Sequence, residues 1–511
     1  MTTGHESEPA TEPRNPLIAR RLGIDTRHEA VVFLRKDCHV CRAEGFTAHT
    51  RVRVTNGRHS IIATLYHVTT NILHHNEAGL SEAAWKLLKL DDGGNVRVSH
   101  PEPLESLSMV RGKVYGRRLD AESIATIIGD ITAGRYSDIH LSSFITACSA
   151  RALDHDETVS LTRAMVDVGD RLTWHTHPVV DKHSVGGLPG NRTTPIVVSI
   201  VTATGLTMPK TSSRAITSPS GTADTMETLA PVDLDLPTMR RVVEQEGGCI
   251  AWGGAVRLSP ADDILISVER ALDLDSEGQL IASVLSKKIA AGSSHVVLDI
   301  PVGPTAKVRS AEDGRAISQG LIEVAQAFGL KAKPVFTDGN QPVGRGIGPA
   351  LEARDVLAVL DNAADAPGDL RERAVLLAGT LLELAGKAPE GGGPAMAEKV
   401  LASGQAAAKF RRICEAQGGL RTPPTSSHRH EITAHCAGRI VAVDNRRLAR
   451  VAKLAGAPDD KAAGVELHVS LGEEIERGHP LYTIHAESPG ELDYALEYAT
   501  ANPDIYLVTP P

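Results

Sequence analysis

The stretch "DKHSVGGLPGNRTT" (residues 181–194) lies between an extended "HPVV" (177–180) and the apolar run "PIVVSIVTATG" (195–205). This pattern predicts a buried strand, a glycine-rich loop and a buried helix. Further along the chain, short apolar runs such as "HVVLDIPV" (295–302) alternate with helical segments such as "QLIASVLSKKIAAG" (279–292). The alternation indicates an α/β domain built on a mainly parallel sheet.

The glycine-rich loop has the composition of an anion-binding loop. Gly186, Gly187 and Gly190 allow backbone N–H groups to approach a ligand closely. Lys182 adds a positive charge, and a helix that begins near Thr193 would direct its positive end to the same place. The loop is not of the Walker type, because no Gly-Lys-Ser/Thr triplet closes it. A polar turn at the end of a strand is the alternative interpretation.

A second loop within "PKTSSRAITSPSGTADTMETL" (209–229) repeats this composition before another predicted helix. Each hydroxyl residue in it, taken alone, is a common helix N-cap. Two such loops separated by one helix would open on the same edge of a parallel sheet, which is where α/β folds bind their ligands. Together the two loops predict a ligand that carries a phosphate group.

The composition excludes several other classes of function. The 511 residues are 41% hydrophobic and 23% charged, with a net charge of −9 and only 3% aromatic residues. Few aromatic residues and no basic run argue against nucleic-acid binding. No apolar stretch reaches the roughly 18 residues of a membrane span. The N-terminus lacks the apolar core of a secretory signal, and six cysteines are too few for a disulfide framework. We therefore predict a cytoplasmic protein with no nucleic-acid or membrane partner.

Changes in sequence pattern predict a multidomain α/β protein. It has an N-terminal β-rich domain, a helical domain, a central α/β domain with additional helices and a C-terminal α+β domain. An Asn56-Gly57 pair between alternating segments predicts a hairpin in the first domain. The predicted bounds are a disordered tail at 1–15, the β-rich domain at 16–95, the helical domain at 96–175, the α/β domain at 176–420, a linker at 421–430 and the α+β domain at 431–511.

Cys38 and Cys41 form a single Cys-x-x-Cys motif. A structural zinc site would need two more ligands at a matching spacing, and the sequence has no second such pair. A redox role would need a thioredoxin-like βαβ context, which the surrounding sequence does not have. We predict a structural pair of thiols and no metal site.

Several of these segments resemble the thymidine phosphorylase superfamily. They are "KHSVGGLPGNRTT" (182–194), "SSRAITSPSGTADTME" (212–227), "QLIASVLSKKIAAG" (279–292) and "GPTAKV" (303–308). The closest form is a longer branch that contains archaeal AMP phosphorylases and bacterial thymidine phosphorylase homologues. The resemblance implies a homodimer or larger homo-oligomer with its active site in an interdomain cleft. It also implies cleavage of an N-glycosidic bond by inorganic phosphate as co-substrate, without a cofactor, to give free base and (deoxy)ribose 1-phosphate.

The resemblance also implies roles for individual residues. Similarity to the shorter thymidine phosphorylases places phosphate on Lys182, Ser184, Thr193, Ser212 and Thr222. Similarity to the shorter and longer forms together places nucleoside or nucleotide contacts on Gly187, Ser213, Arg214, Ala215, Ile216, Thr217, Ser218, Ser283, Lys287 and Lys307. Lys288, the neighbour of Lys287, is expected to be a solvated surface lysine.

Two residues are candidates for assisting the departure of the base. His183 occupies the position of a histidine that contacts the base in the family, and histidine can donate a proton near neutral pH. Similarity to AMP phosphorylases makes Asp275 a general acid. Asp275 has an equally weighted alternative as the N-cap of the helix that follows it.

One departure from the family leaves the identity of the base open. Thymidine phosphorylases carry an arginine that grips the pyrimidine, and alignment by spacing puts Val268 there, with Arg270 nearby. An arginine of many AMP phosphorylases corresponds to Ser267.

Three functions follow from these motifs. The leading hypothesis is a pentosyltransferase of the thymidine phosphorylase type. The alternative is an AMP (nucleoside 5′-monophosphate) phosphorylase that yields ribose 1,5-bisphosphate. A nucleotide-binding regulator without turnover is the third, and no feature of the sequence favours it.

Overall fold

The computed structural model describes most of the chain, namely residues 16–27, 29–91, 93–215, 218–272, 274 and 276–509. The predicted tail at 1–15 lies outside the described residues. Contacts within the chain divide it into two compact units, residues 1–147 and 148–511.

The N-terminal β-rich segment forms a closed six-stranded barrel. Its elements are β1 (Leu17–Arg21), β2 (Val31–Arg35), α1 (His39–Glu44), β3 (Arg51–Thr55), β4 (Ser60–Val68), β5 (Glu77–Leu80), α2 (Glu82–Leu88) and β6 (Asn95–Ser99). The strand order is β1-β5-β2-β4-β3-β6. Alternation along β3 buries Val52 and Val54 in the barrel. The predicted Asn56-Gly57 turn joins β3 to β4, and the last strand ends at Ser99, beyond the predicted boundary at residue 95.

The two cysteines of the Cys-x-x-Cys motif lie in the core of this barrel. Cys38 is the N-cap of α1, and its Sγ accepts a hydrogen bond from the backbone N–H of Cys41 at 3.3 Å. The hydrogen bond between the two thiols lowers the pKa of Cys38 to about 6 and raises the pKa of Cys41. No group of three or more His, Cys, Asp or Glu side chains placed to hold a metal ion occurs among the described residues.

Four helices follow the barrel: α3 (Ser106–Val114), α4 (Ala121–Thr132), α5 (Asp138–Ala150) and α6 (His155–Asp167). In α4 the isoleucines that recur at helical spacing, Ile124, Ile127, Ile128 and Ile131, are all buried, as the pattern predicts. The side chain of Asp120 caps α4 by accepting from the backbone N–H of Ser123. No helix in the described part of the chain is long and apolar enough to cross a membrane.

The central domain alternates strands and helices as predicted. Its elements are β7 (Val180–Ser184), α7 (Thr193–Ala203), β8 (Met208–Ser212), α8 (Thr222–Glu227), α9 (Leu236–Glu246), β9 (Gly248–Trp252), a 3-10 helix (Gly253–Val256), α10 (Pro260–Leu272), α11 (Glu277–Ala290), β10 (His295–Val302), α12 (Ala311–Ala327) and β11 (Lys331–Asp338). The parallel sheets β11-β10-β7 and β8-β9 are joined by a parallel bridge between Val179 and Thr207. The predicted parallel sheet is confirmed, and all five strands end at the same edge.

The next elements are β12 (Gly346–Ile347), α13 (Pro349–Leu360), α14 (Gly368–Leu384), α15 (Gly393–Ala402) and α16 (Gln405–Gln417), and the four helices among them pack against α7. Nearly every residue of α7 is buried, because "PIVVSIV" is apolar all round and helices cover it on several sides. A helix enclosed in this way holds its N-terminus in a fixed position at the sheet edge.

The C-terminal domain is α+β. Its elements are β13 (His428–Thr433), β14 (Gly438–Val443), α17 (Asn445–Leu454), β15 (Gly464–Leu467), β16 (Glu474–Ile475), β17 (Pro480–Ala486), α18 (Pro489–Ala501), a 3-10 helix (Pro503–Ile505) and β18 (Tyr506–Thr509). They form the antiparallel sheets β12-β15-β17-β13 and β16-β14-β18. The predicted linker at 421–430 is too long, since His428 already pairs with Ala486 of β17.

We predict that a truncation must respect the closed barrel. Deleting residues 1–85 leaves β6 without its partners β1 and β3, and so exposes Val96 and Val98 on an unpaired strand. Deleting residues 1–99 removes the whole barrel. We expect the longer deletion to elute as a single species in size-exclusion chromatography and to melt cooperatively by circular dichroism, and the shorter one to aggregate. Identical elution and melting of the two deletion variants would contradict the prediction that β6 depends on the rest of the barrel.

Candidate functional site

Lys182 lies at the centre of the predicted phosphate site, but it is not a loop residue. It lies in β7 and is only 1% exposed. Its Nζ donates a hydrogen bond to Thr193 Oγ1 at 2.8 Å and is 3.8 Å from Asp299 Oδ2. Burial lowers the pKa of Lys182 to about 8; Asp299 opposes this shift, and Arg192 and Arg373 add to it. A buried ammonium among other cations is a favourable partner for an anion.

The tripeptide Asn191-Arg192-Thr193 connects the predicted phosphate ligands. Asn191 Nδ2 is 3.4 Å from Ser184 Oγ, and Thr193 receives the hydrogen bond from Lys182. Arg192 Nη1 donates to Thr222 Oγ1 at 2.8 Å. Each of these three consecutive residues therefore contacts one predicted phosphate ligand. The first turn of α7 begins at Thr193 and directs its positive end to the predicted phosphate site.

Arg192 is a residue of this site that the sequence analysis did not single out. Its Nε donates to the buried Glu352 at 2.7 Å, and its Nη2 donates to the carbonyl oxygen of Ser220 at 3.0 Å. Glu352 also accepts from Thr225 at 2.8 Å. Because Arg192 donates to Thr222, the hydroxyl hydrogen of Thr222 is left to donate elsewhere. The sequence gives no signal for this role, since Glu352 lies far along the chain.

Arg373 of α14 is a second cation that the sequence analysis missed. Its charge lowers the pKa of Lys182, so the two groups lie close enough to repel each other. Its Nη1 is buried without a hydrogen-bond partner among the described residues. A buried guanidinium N–H with no acceptor is a place where an anion oxygen would bind.

The glycines of the first loop allow close approach of the backbone. Gly187 has φ +81°, and a Cβ added there would lie 2.3 Å from the backbone N of Lys307. The structure thus brings together Gly187 and Lys307, two predicted substrate contacts separated by a large part of the domain. Gly190, with φ +68°, approaches Val343 O in the same way.

A cavity of about 170 Å³ opens beside the end of β8. Its walls include four predicted nucleoside contacts, Ser213, Arg214, Ala215 and Lys287, and also Ser212. Ser212 is 9% exposed, and its hydroxyl has no hydrogen-bond partner among the described residues. The predicted phosphate residue Ser212 and the predicted base residue Lys287 therefore border one cavity.

Arg214 borders the same cavity, but its charge is compensated within the protein. Its two terminal nitrogens bind the Glu227 carboxylate at 2.7 and 2.8 Å, and the guanidinium stacks on Trp252 at 4.8 Å. These hydrogen bonds lower the pKa of Glu227 to about 2. This geometry supports a role for Arg214 in holding the second loop in place. A substrate that bound the guanidinium would first have to break its bidentate pair with Glu227.

Lys288 is not the solvated surface lysine that the sequence predicted. It is 1% exposed, and its Nζ is 2.8 Å from Asp181 Oδ2. The buried Lys210 binds the other oxygen of the same carboxylate at 3.3 Å. Helical spacing on α11 cannot distinguish a surface lysine from one that points at a buried aspartate of β7. The prediction for Lys288 is therefore wrong because it depends on a tertiary contact that the local sequence does not show.

His183 lies next to this cluster and is held in its neutral form. Burial and the charges of Lys288, Lys210 and Lys287 keep the pKa of His183 well below its ordinary value. A neutral imidazole can donate an N–H hydrogen bond to a departing base, but it is a poor source of a full proton at neutral pH.

The remaining predicted contacts are only partly described. Ile216, Thr217 and Asp275 lie outside the described residues, as does the side chain of Arg270. The hydroxyl of Ser218 donates to the carbonyl oxygen of Ser220 within its own loop, and Ser283 lies one helical turn before Lys287 on α11. Ser276 caps α11 by accepting from the backbone N–H of Gln279 at 3.3 Å, so the cap does not depend on Asp275, whose own placement is outside the described residues.

Models of three protein families match consecutive parts of the chain. The glycosyl transferase family helical bundle domain matches residues 108–169, and the a/b domain of that family matches residues 176–407. The pyrimidine nucleoside phosphorylase C-terminal domain matches residues 439–505. These matches confirm a multidomain α/β protein with a helical bundle, an α/β domain and a C-terminal domain.

Individual proteins resemble the chain over nearly its whole length. A protein of Chelativorans sp. (strain BNC1) named "Putative thymidine phosphorylase" is 61% identical over 97% of this chain and 98% of its own. A protein of Polaromonas sp. (strain JS666 / ATCC BAA-500) with the same name is 62% identical over 94% of both chains. The crystal structure of anthranilate phosphoribosyltransferase from Thermus thermophilus has a TM-score of 0.50 at 22% identity, covering 60% of this chain and 98% of its own. That last likeness concerns the fold alone.

We predict that removing the Lys182 charge weakens phosphate binding about tenfold to a hundredfold, the range of a charged hydrogen bond. Lys182→Ala alone would leave Asp299 buried without its cation and would destabilise the protein. The informative variant is Lys182→Met with Asp299→Asn, which removes both charges. Calorimetric titration with inorganic phosphate measures the effect, and in the unsubstituted protein affinity should fall as the pH rises through about 8. Unchanged affinity in the folded double variant would exclude Lys182 from the site.

Proposed function

This chain belongs to the pyrimidine nucleoside phosphorylase family, and on that premise we propose that it is a pentosyltransferase of the thymidine phosphorylase type. It uses inorganic phosphate to cleave the N-glycosidic bond of a (deoxy)nucleoside, and it releases free base and (deoxy)ribose 1-phosphate. Two observations carry the proposal: the buried Lys182, whose Nζ is held by Thr193 and Asp299, and the cavity bordered by Ser212 and Lys287.

The phosphate side of the site suits an anionic nucleophile. Positive charge develops on the sugar as the glycosidic bond breaks, so the attacking phosphate must be positioned while its negative charge is kept. Lys182 supplies one full charge, and the hydroxyls of Ser184, Thr193 and Thr222 supply neutral donors. Positioning and preorganised dipoles account for most of the catalysis in such a site.

The base side of the site must stabilise negative charge on the departing ring. We propose Asp275 as the general acid on its similarity to AMP phosphorylases, and Ser276 supplies the N-cap of α11. His183 contributes a neutral N–H donor, since the neighbouring lysines prevent it from becoming an imidazolium. Lys287 keeps its charge: burial works against it, but Asp262 and Asp263 raise the pKa of Lys287.

The arrangement of the second loop favours a nucleoside over a nucleoside 5′-monophosphate. A 5′-phosphate would need a cation of its own, and Arg214 is already paired with Glu227. Lys461 does not change this balance, because Arg214 and Lys461 share two carboxylates: Lys461 is 3.0 Å from Glu227 and 3.8 Å from Asp224, and Arg214 is 3.5 Å from Asp224. Assembly into a homodimer or larger homo-oligomer, a cytoplasmic location and independence from any cofactor are further parts of the proposal.

The decisive measurement is phosphate-dependent release of free base, followed by chromatography, from thymidine, uridine, AMP, CMP and UMP. We expect release from a pyrimidine nucleoside only when phosphate is present. The folded Lys182→Met/Asp299→Asn variant is the matched control and should release little. Release from AMP alone would replace the proposal by a nucleoside 5′-monophosphate phosphorylase. Tight binding without release from any substrate would leave a regulator.

We predict that Asp275→Asn lowers turnover by about a hundredfold to ten-thousandfold, the usual contribution of a general acid. The substitution keeps the shape of the side chain and removes its proton. The basic limb of the pH–rate profile should flatten, whereas the melting temperature should change little because Ser276 provides the cap. Ser276→Ala is the converse control, with a lower melting temperature and a preserved pH profile. Unchanged turnover in Asp275→Asn would remove the assignment.

A further inference from the structure

The cavity beside β8 has wall residues on α10 to which neither the sequence motifs nor the proposed function gives a role. The wall includes Asp263 and Ile266 of α10, one helical turn apart, and Lys287 of α11. Asp263 is exposed, and it has no ion-pair partner within 4.0 Å among the described residues. An unpaired carboxylate facing a cavity is available to a ligand.

The position expected to carry a base-gripping arginine offers no donor in this chain. Val268 is buried in place of that arginine. The hydroxyl of its neighbour Ser267 is bound back to its own helix, through a 2.7 Å hydrogen bond to the carbonyl oxygen of Ile264. Recognition of the base must therefore use other groups of the cavity wall.

Asp262 and Asp263 are adjacent in the chain but differ in their surroundings. Asp262 is 2% exposed and forms an ion pair with Lys287 Nζ. Asp263 is accessible from the cavity. Desolvation of its carboxylate by the surrounding protein and the charge of Asp262 raise the pKa of Asp263 to about 6, whereas Lys287 acts to lower it. The wall thus presents one cationic donor, held in place by Asp262, beside one carboxylate that accepts hydrogen bonds above that pH.

We propose that Asp263 is a specificity-determining residue that accepts a hydrogen bond from an N–H on the edge of the base while Lys287 donates to the neighbouring carbonyl oxygen. This assignment rests on the proposed function. The edge it recognises is the adjacent N3–H and carbonyl of thymine or uracil. A substrate with a methyl group at that nitrogen has no hydrogen to donate and leaves the carboxylate unpaired, which is the kind of mismatch that sites reject most strongly.

The test compares thymidine with 3-N-methylthymidine as substrates. In the unsubstituted protein kcat/KM for thymidine should exceed that for the methylated analogue. In Asp263→Ala we expect this ratio to fall about tenfold to a hundredfold, the range of a charged hydrogen bond. Asp263→Asn keeps the volume of the side chain, so a fall in this variant also separates lost hydrogen bonding from relieved crowding. Glu244→Gln, at an exposed carboxylate of α9, is the control for charge alone and should leave the ratio unchanged.

The pH dependence gives a second readout. Asp263 accepts only when ionised, so kcat/KM for thymidine should decline as the pH falls through about 6, and Asp263→Asn should lose this limb. The other charged residues that line the cavity in the described part of the chain are Lys287, which pairs with Asp262, and Arg214, which pairs with Glu227. Burial and the charges of the neighbouring lysines keep the pKa of His183 well below its ordinary value.

The outcomes separate the two proposals. If the unsubstituted protein releases base but the ratio and the acid limb survive in both Asp263 variants, the assignment of Asp263 is wrong and the proposed function stands. If no substrate is turned over, the proposed function is wrong. Calorimetric binding of thymine and 3-N-methylthymine then decides on Asp263 directly, since equal affinities, or no binding of either base, would overturn the assignment.

Discussion

The buried ammonium of Lys182 is the constraint around which the central domain is organised. A lysine in the interior loses its hydration, and the protein must replace it with fixed partners. Asp299 of β10 provides the countercharge and Thr193 of α7 provides an acceptor. One side chain thereby connects two strands of the sheet to the first residue of the central helix, and the same contacts prepare a place for an anion.

The parallel sheet divides the site into two kinds of surface. Lys182 contacts α7 and β10, whereas its chain neighbour Asp181 binds Lys210 of β8 and Lys288 of α11. Burial lowers the pKa of His183, and the Lys288 and Lys210 ammoniums lower it further, because each raises the cost of another positive charge nearby. Two adjacent residues of β7 can thus have different roles: Lys182 belongs to the anion-binding surface, and His183 belongs to a surface that donates neutral hydrogen bonds.

Much of this could be predicted from the chain. The glycine-rich loop, the beginning of α7 at Thr193 and the parallel sheet are local patterns, and the structure has them where the sequence places them. The prediction for Lys288 is wrong, and the sequence leaves open which residue caps α11. Burial of Lys288 depends on Asp181, a residue in another strand, and the choice between two adjacent cap residues, Asp275 and Ser276, depends on backbone angles that propensity does not fix.

By itself the sequence determined the family, the class of fold and the residues that form the two hydroxyl-rich loops, because these depend on composition and short spacings. Only the tertiary structure decided which charges are free. Arg214 pairs with Glu227, and Arg192 donates hydrogen bonds to Glu352 and Thr222. Asp263 faces a cavity instead. The physical reason is that a charge acts on a ligand only if the folded protein has not already neutralised it, and its partners lie on elements distant in sequence.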